Sequence, residues 1–251
     1  MLGTYDAETR PRGTMDATQK AGIMAARTGA TPEKPGAKRL DRATIIAAGL
    51  ELAETTGSAS LSIRDLGAKL GTDPTAVYRH FRGKEELMSA LLDELTLRSL
   101  AAVTADPDEW QERLRQLASA TLTEFARYPA VGQEAIVLTT HGPGELDAIE
   151  FMLDAFSRAG LTGDALVQHY ALMATHVLSI AAGVARARAE RTTTASADSS
   201  PWFEGPLLVD PIKHPHIAQM SAQLLDLKDR ELFMLGVESV IRSAERAAHP
   251  S

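Results

Sequence analysis

Arg64, Thr75, Tyr78, His80 and Lys84 lie close together in the stretch SIRDLGAKLGTDPTAVYRHFRGKE, residues 62–85. Their chemistry suits a polyanion. A guanidinium such as Arg64 forms a bidentate pair with guanine, and Thr75 offers a methyl group and a hydroxyl to a base edge. Tyr78 joins an apolar ring to a polar tip, which fits the edge of a groove, and the Lys84 ammonium is a donor for a backbone phosphate. Upstream, Lys38, Arg39 and Arg42 can add phosphate or minor-groove contacts. The plainer alternative makes Arg64, Lys69 and Arg82 a solvated face, with Tyr78 and His80 as ordinary half-buried residues.

Bond-breaking chemistry has no comparable support. The chain has no GxSxG elbow, HExxH helix, Walker loop or strand-linked dinucleotide fingerprint. The GPG at 142–144 lacks a phosphate-loop context. With no cysteine among 251 residues, thiolate nucleophiles, disulfides and the usual zinc sites are excluded. His214-Pro215-His216 supplies two imidazoles without a third ligand. Neither an enzyme, nor a cofactor, nor a metal is expected.

These residues need helices to position them. Asp41 precedes a helix in which Ile45, Ala48 and Leu52 share a face, with Gly57 as its stop. Ser62 heads a second helix carrying Ile63, Leu66 and Leu70, ended by Gly71. Asp73-Pro74 starts a third, very short one reaching His80. A fourth starts near Lys84, where the Leu87, Leu91, Leu95 stripe runs toward Ala101. Further helices are predicted from Asp106-Pro107 to Arg127, over Ala130–Leu138, from Glu145 to Arg158, from Asp164 to Glu190 and from Asp226 to Ala247. Residues 1–38 read as a flexible arm, and 191–211 as a Thr-, Ser- and Pro-rich loop. With no strand alternation, repeat or sustained heptad, the chain reads as all-α.

Charge divides the chain in the same place. Residues 1–84 carry 13 Lys+Arg against 9 Asp+Glu, whereas 85–251 carry 13 against 24, so a net +4 front precedes a net −11 body. Only the front is suited to a polyanion. No apolar leader or run near 20 residues is evident, so the expected compartment is the cytoplasm, with no membrane partner.

Two short helices around a glycine turn, braced by a longer one, fit a helix-turn-helix. Here LDRATIIAAGLELAETTG, from Leu40, and YRHFRGKEELMSALLDEL, through Leu95, closely resemble the TetR family of one-component transcriptional repressors. LTEFARYPAV and GPGELDAIEFMLDAFSRAGLTGDA resemble the ligand-sensing domain of its tetracycline-repressor branch. The resemblance implies a DNA-binding domain over 39–84, in which 62–69 and 74–80 are the two helices of the motif, and a ligand-binding and dimerisation domain over 85–251. Its DNA contacts would come from Arg39, Arg42, Ser62, Arg64, Pro74, Thr75, Tyr78, His80 and Lys84. Three positions depart from the family pattern. Gly67 stands where alanine is common, Thr72 where an apolar residue is usual, and Asp73 where serine or threonine is common.

The implied partners are palindromic operator DNA, a second copy of the chain and a small apolar or aromatic effector. Two-fold symmetry would set half-sites about 34–36 Å apart, or a multiple of this. The helices over 164–190 and 228–247 resemble the family's dimerisation pair, with Leu225, Leu232, Leu235, Val240 and Ile241 either at that interface or in the core. Phe125, His141, Phe151, Phe156, His169, Tyr170, Met173 and His176 are pocket candidates, each with core packing or solvation as the alternative. His169 and His176, seven apart, can share a helix face. The rival to the whole reading is a dimeric helical adaptor without sequence-specific DNA binding.

Overall fold

Asp41 accepts at Oδ1 from the Thr44 amide at 2.8 Å, and α1 runs Arg42–Thr56 with Ile45, Leu50 and Ala53 buried. The computed structural model describes residues 40–56, 61–190, 205 and 207–249, and Asp41–Ser251 forms one unit. The expected arm over 1–38, Arg39, the Gly57 stop and most of the 191–211 loop lie outside the described residues. So does residue 39, where the expected 39–84 region starts. At the other boundary there is no break in the chain, because residue 84 opens a helix common to both halves.

α2, Ile63–Leu70, is capped by Ser62, whose hydroxyl accepts from the Asp65 amide. It ends at Gly71, which has φ 63°. The Gly71 and Thr72 amides donate to the carbonyls of Ala68 and Gly67 at 3.1 and 3.0 Å, closing a Schellman turn. Asp73 then caps a 3-10 helix, Pro74–Arg79, by accepting from the Thr75 amide. A Cβ on Gly67 would lie 3.1–3.2 Å from Pro74 atoms. The glycine therefore lets the two arms of the turn approach closely, which accounts for its place in mid-helix.

α3, Lys84–Ala101, packs against α1 at one end. Leu87, Leu91 and Leu95 are fully buried along it, as their stripe predicts. Then come α4 (Trp110–Arg127), α5 (Pro129–Gly132), a 3-10 turn (Gln133–Ile136), α6 (Pro143–Arg158), α7 (Gly163–Glu190), α8 (Pro215–Asp226) and α9 (Asp229–Ala248). α4 and α7 form the centre of the body, with α6 and α9 against both. No strand occurs among the described residues.

Several expected bounds move for local reasons. α4 starts at Trp110 because Asp106 forms a turn, its carbonyl accepting from the Glu109 amide at 2.9 Å and its amide donating to the Glu109 carboxylate. The apolar run 130–138 is divided between α5 and the 3-10 turn, where Gly132 lies against Phe125 with no room for a Cβ. α8 was not anticipated: His214-Pro215-His216 begins this helix, with Pro215 in its first turn. α7 is long and apolar enough to cross a membrane by composition alone. It instead packs against α4, α6 and α9 and buries His169, Met173 and Val177.

Candidate DNA-binding face and effector cavity

Val77 and Phe81 are each 1% exposed and anchor the 3-10 helix in the core of the head. That anchoring turns Thr75, Tyr78 and Arg79 outward, with Tyr78 50% exposed. Arg64 on α2, Arg82 in the following turn and Lys84 at the start of α3 are exposed as well. Among the described residues no ion pair falls on these four cations, Arg64, Arg79, Arg82 and Lys84. By contrast Lys69 is paired with Glu51 at 2.9 Å. Ser62 and Pro74 are half-buried, Ser62 serving as a cap and Pro74 as a first-turn residue. Arg79 and Arg82 were missed as site candidates, although both sit in the basic run YRHFRGK.

Arg42 is engaged within the protein. Its Nη1 donates to the His80 carbonyl and, at 2.8 Å, to Glu86 Oε1, while its guanidinium lies 4.2 Å from the Phe81 ring centre. Hydrogen bonds from the Arg82 amide and from Arg42 hold the Glu86 carboxyl below its ordinary range. Arg42 thus ties the start of α1 to the end of the recognition segment. The His80 side chain is half-buried beside this knot.

A cavity of about 230 Å³ opens in the body. Its wall comes from α3 (Leu92, Thr96), α4 (Leu114, Phe125), the segment 135–140, α6 (Glu145, Met152) and α7 (Tyr170, Met173, Val177). Ile136 and Val137, 59% and 73% exposed, stand at its rim. Of the pocket candidates, Phe125, Tyr170 and Met173 line this space. Burial, and next the Glu145 charge, push the Tyr170 hydroxyl above its ordinary range.

The other candidates have different surroundings. Phe156 is a core residue tilted against Trp110 and His169. The ring of His169 is bound at Nδ1 by the Ala165 carbonyl and at Nε2 by Ser243. His176 stacks on Phe233, and its Nε2 lies 2.8 Å from the Phe233 carbonyl. The face shared by the two histidines therefore turns to α9. Phe151 carries the Arg113 guanidinium at 4.3 Å, and His141 is an exposed turn residue with φ 51°. Of the five leucine, valine and isoleucine candidates for a dimer face, Ile241 is core at 1% exposure and Leu235 is open at 57%.

One carboxylate missed in the sequence joins α3 to the start of α6. Asp93, 7% exposed on α3, accepts from Thr140 Oγ1 at 2.8 Å, the Glu145 amide at 3.0 Å and the Gly144 amide at 3.1 Å. The Gly142 N-cap of α6 has no side-chain acceptor. Asp93 supplies it from another helix, satisfying first-turn amides that would otherwise be orphaned. The fit is close, since a Cβ on Gly142 would lie 2.4 Å from the Asp93 carboxyl atoms. Glu145 Oε2 accepts from the His141 amide at 2.7 Å and, 3.0 Å from Thr140 Oγ1, shares that hydroxyl's single proton with Asp93. Leu92, beside Asp93, lines the cavity. Among the described residues no group of three or more His, Asp or Glu is arranged to hold a metal ion.

An exposed basic helix-turn-helix joined by a continuous helix to an apolar cavity defines a one-component DNA-binding regulator. Comparisons with known proteins agree. The family described as "Bacterial regulatory proteins, tetR family" matches residues 45–91, and "Tetracyclin repressor-like, C-terminal domain" matches 104–243. The chain belongs to the TetR family of bacterial regulatory proteins. It is 25% identical over 225 residues to the HTH-type transcriptional repressor DrrR1 of Streptomyces coeruleorubidus, covering 87% of this chain and 82% of that protein. It is 30% identical over 215 residues to the class D tetracycline repressor protein of Escherichia coli, covering 82% and 90%. The fold matches the Streptomyces coelicolor protein ActR in complex with actinorhodin, with a TM-score of 0.67, 18% identity, and 84% and 99% coverage.

Proposed function

We propose that this ligand-responsive transcriptional repressor reads DNA with the face formed by Arg64, Thr75, Tyr78, Arg79, Arg82 and Lys84, and is released when an effector fills the 230 Å³ cavity. The observation that carries this is the outward-facing set of cations, without an ion pair among the described residues, around a half-exposed tyrosine on a helix-turn-helix. Thr75 and Tyr78 face the major groove, Arg64 reads a base edge, and Pro74 and Ser62 approach the sugar–phosphate edge. Lys84, His80 and the two further arginines meet phosphates. Arg39 adds an arm contact, while Arg42 supports the face from behind. The DNA-binding region is 39–84 and the sensing and dimerising region is 85–251.

Two copies pair through α7 and α9, where Val167, Leu172, Leu178 and Leu235 leave apolar side chains open to solvent. The dimer reads a palindrome in the cytoplasm, where the DNA is. The chain acts as a regulator rather than an enzyme. Release requires only that the effector bind the DNA-incompetent arrangement more tightly than the competent one. α3 and α6, which share both the cavity wall and the Asp93 cap, are the route between the two sites.

The test is selection of duplexes from a random DNA library by the purified chain at moderate salt. An enriched palindrome is the expected result. A folded, dimeric protein that enriches nothing would overturn the DNA-reading assignment and favour the adaptor.

A further inference from the structure

The cavity wall is unusual in its charge. Apolar side chains and threonines make up nearly all of it, and among the described residues Glu145 is the only Asp, Glu, Lys, Arg or His side chain lining it. Among the described residues no cation forms an ion pair with Glu145. Among the described residues its hydrogen bonds, from the His141 amide and from the Thr140 hydroxyl it shares with Asp93, both fall on Oε2 and hold the carboxylate in place. Among the described residues none falls on Oε1, which is left as an acceptor. The Tyr170 hydroxyl on α7 shares this part of the wall and feels the Glu145 charge. Among the described residues the side chains beside Glu145 are Asp93 on α3, Thr140 in the preceding segment and Tyr170 on α7, none a cation, while the exposed His141 meets it through its backbone amide.

An anionic ligand brought into this space would lose its hydration beside a like charge. A neutral apolar one would leave the carboxylate with no new partner. A ligand with one protonated amine on an apolar frame would meet a fixed, charge-assisted acceptor at the edge of a largely apolar, partly open space. At 230 Å³ the cavity falls below the roughly 300–1,000 Å³ of pockets for drug-sized ligands, so the frame is small.

We infer that the effector is a small apolar monoamine in its ammonium form, and that Glu145 selects it by pairing with the charge through Oε1. This rests on the reading of the cavity as the effector site. A matched set of probes tests it by calorimetry on the full chain: phenylbutylamine, phenylbutanol and phenylbutyrate share one frame and differ in charge. The amine is expected to bind about tenfold or more tighter than the alcohol, because a charged hydrogen bond exceeds a neutral one, and phenylbutyrate is expected to bind weakest. In Glu145→Gln the amine's advantage over the alcohol should vanish.

Equal binding of amine and alcohol to the native chain would overturn the inference, and that comparison needs no variant to fold. An advantage that persists in Glu145→Gln would overturn it too, as would failure of all three probes to bind. Displacement of the selected operator duplex is read in parallel. Release by probes without an amine preference would reject the charge selection and keep the effector cavity. A Glu145-dependent amine preference without release would do the reverse.

Discussion

Removing the Asp93 carboxylate should uncap α6. Asp93→Ala leaves the amides of Gly144 and Glu145 without their acceptor, while the Thr140 hydroxyl can still turn to Glu145 Oε2. Each orphaned buried amide costs about 1–3 kcal/mol. Relief of burying a carboxylate beside Glu145 offsets part of this, so the expected net loss is about 2–4 kcal/mol. Asp93→Asn keeps one acceptor oxygen and should lose about half as much. Gly142→Ala tests the same contact from the other side, because its Cβ would press into the carboxyl at 2.4 Å. In the Asp93→Ala background that methyl enters vacated space. The double variant should therefore be more stable than the sum of the singles by about 1 kcal/mol or more. Urea denaturation followed by circular dichroism, at one fixed protein concentration because a dimer's stability varies with it, measures the native chain and the four variants. Additive singles, or an Asp93→Ala loss under about 1 kcal/mol, would refute the tertiary cap.

Arg64→Ala should relax sequence preference and cost about 1–3 kcal/mol on the selected operator, whereas Lys84→Ala should weaken all duplexes alike in a binding titration; uniform losses for both would remove Arg64 from base reading. Gly71→Ala should destabilise by about 1–2 kcal/mol in thermal melts, since φ 63° is left-handed and open space surrounds the position. The Arg115 hydrogen bond holds Glu238 below its ordinary glutamate value of 4.5. The sign is that of a depressed acid: its contribution is present above that value and is lost as pH falls through the lower folded one. Glu238→Gln should therefore lower stability at neutral pH and flatten the acid limb of a stability–pH curve. An unchanged acid limb would refute the pairing.

The parts of the site that were legible in the sequence are those governed by neighbours in the chain. Ser62, Gly71 and Asp73 announce caps and turns through local hydrogen bonds, and the stripe Leu87, Leu91, Leu95 announces one face of α3. Arg42 reads as a free cation because its partners, Glu86 and the His80 carbonyl, are about forty residues away. His169 and His176 do share a face, but periodicity does not say whether that face meets a cavity or α9. Asp93 looks like one polar residue on a leucine-rich helix. The available signal was the pair of glycines around Pro143, which begins a helix without a capping side chain of its own. α8 had a signal too, Pro215 followed by apolar residues at helical spacing.

Asp93 also sits midway along α3, nine residues beyond Lys84. At 1.5 Å per residue that half of the helix is a rigid arm about 13 Å long, and the Arg42 knot fastens the recognition segment to its far end. If the cap acts as a fulcrum, a tilt of about ten degrees carries Lys84 through roughly 2 Å. Opposed tilts in two copies would change the gap between heads by up to about twice that, against a half-site spacing of about 34–36 Å. On that geometry the displacement of Lys84 per degree of tilt is set by where along α3 the aspartate is placed.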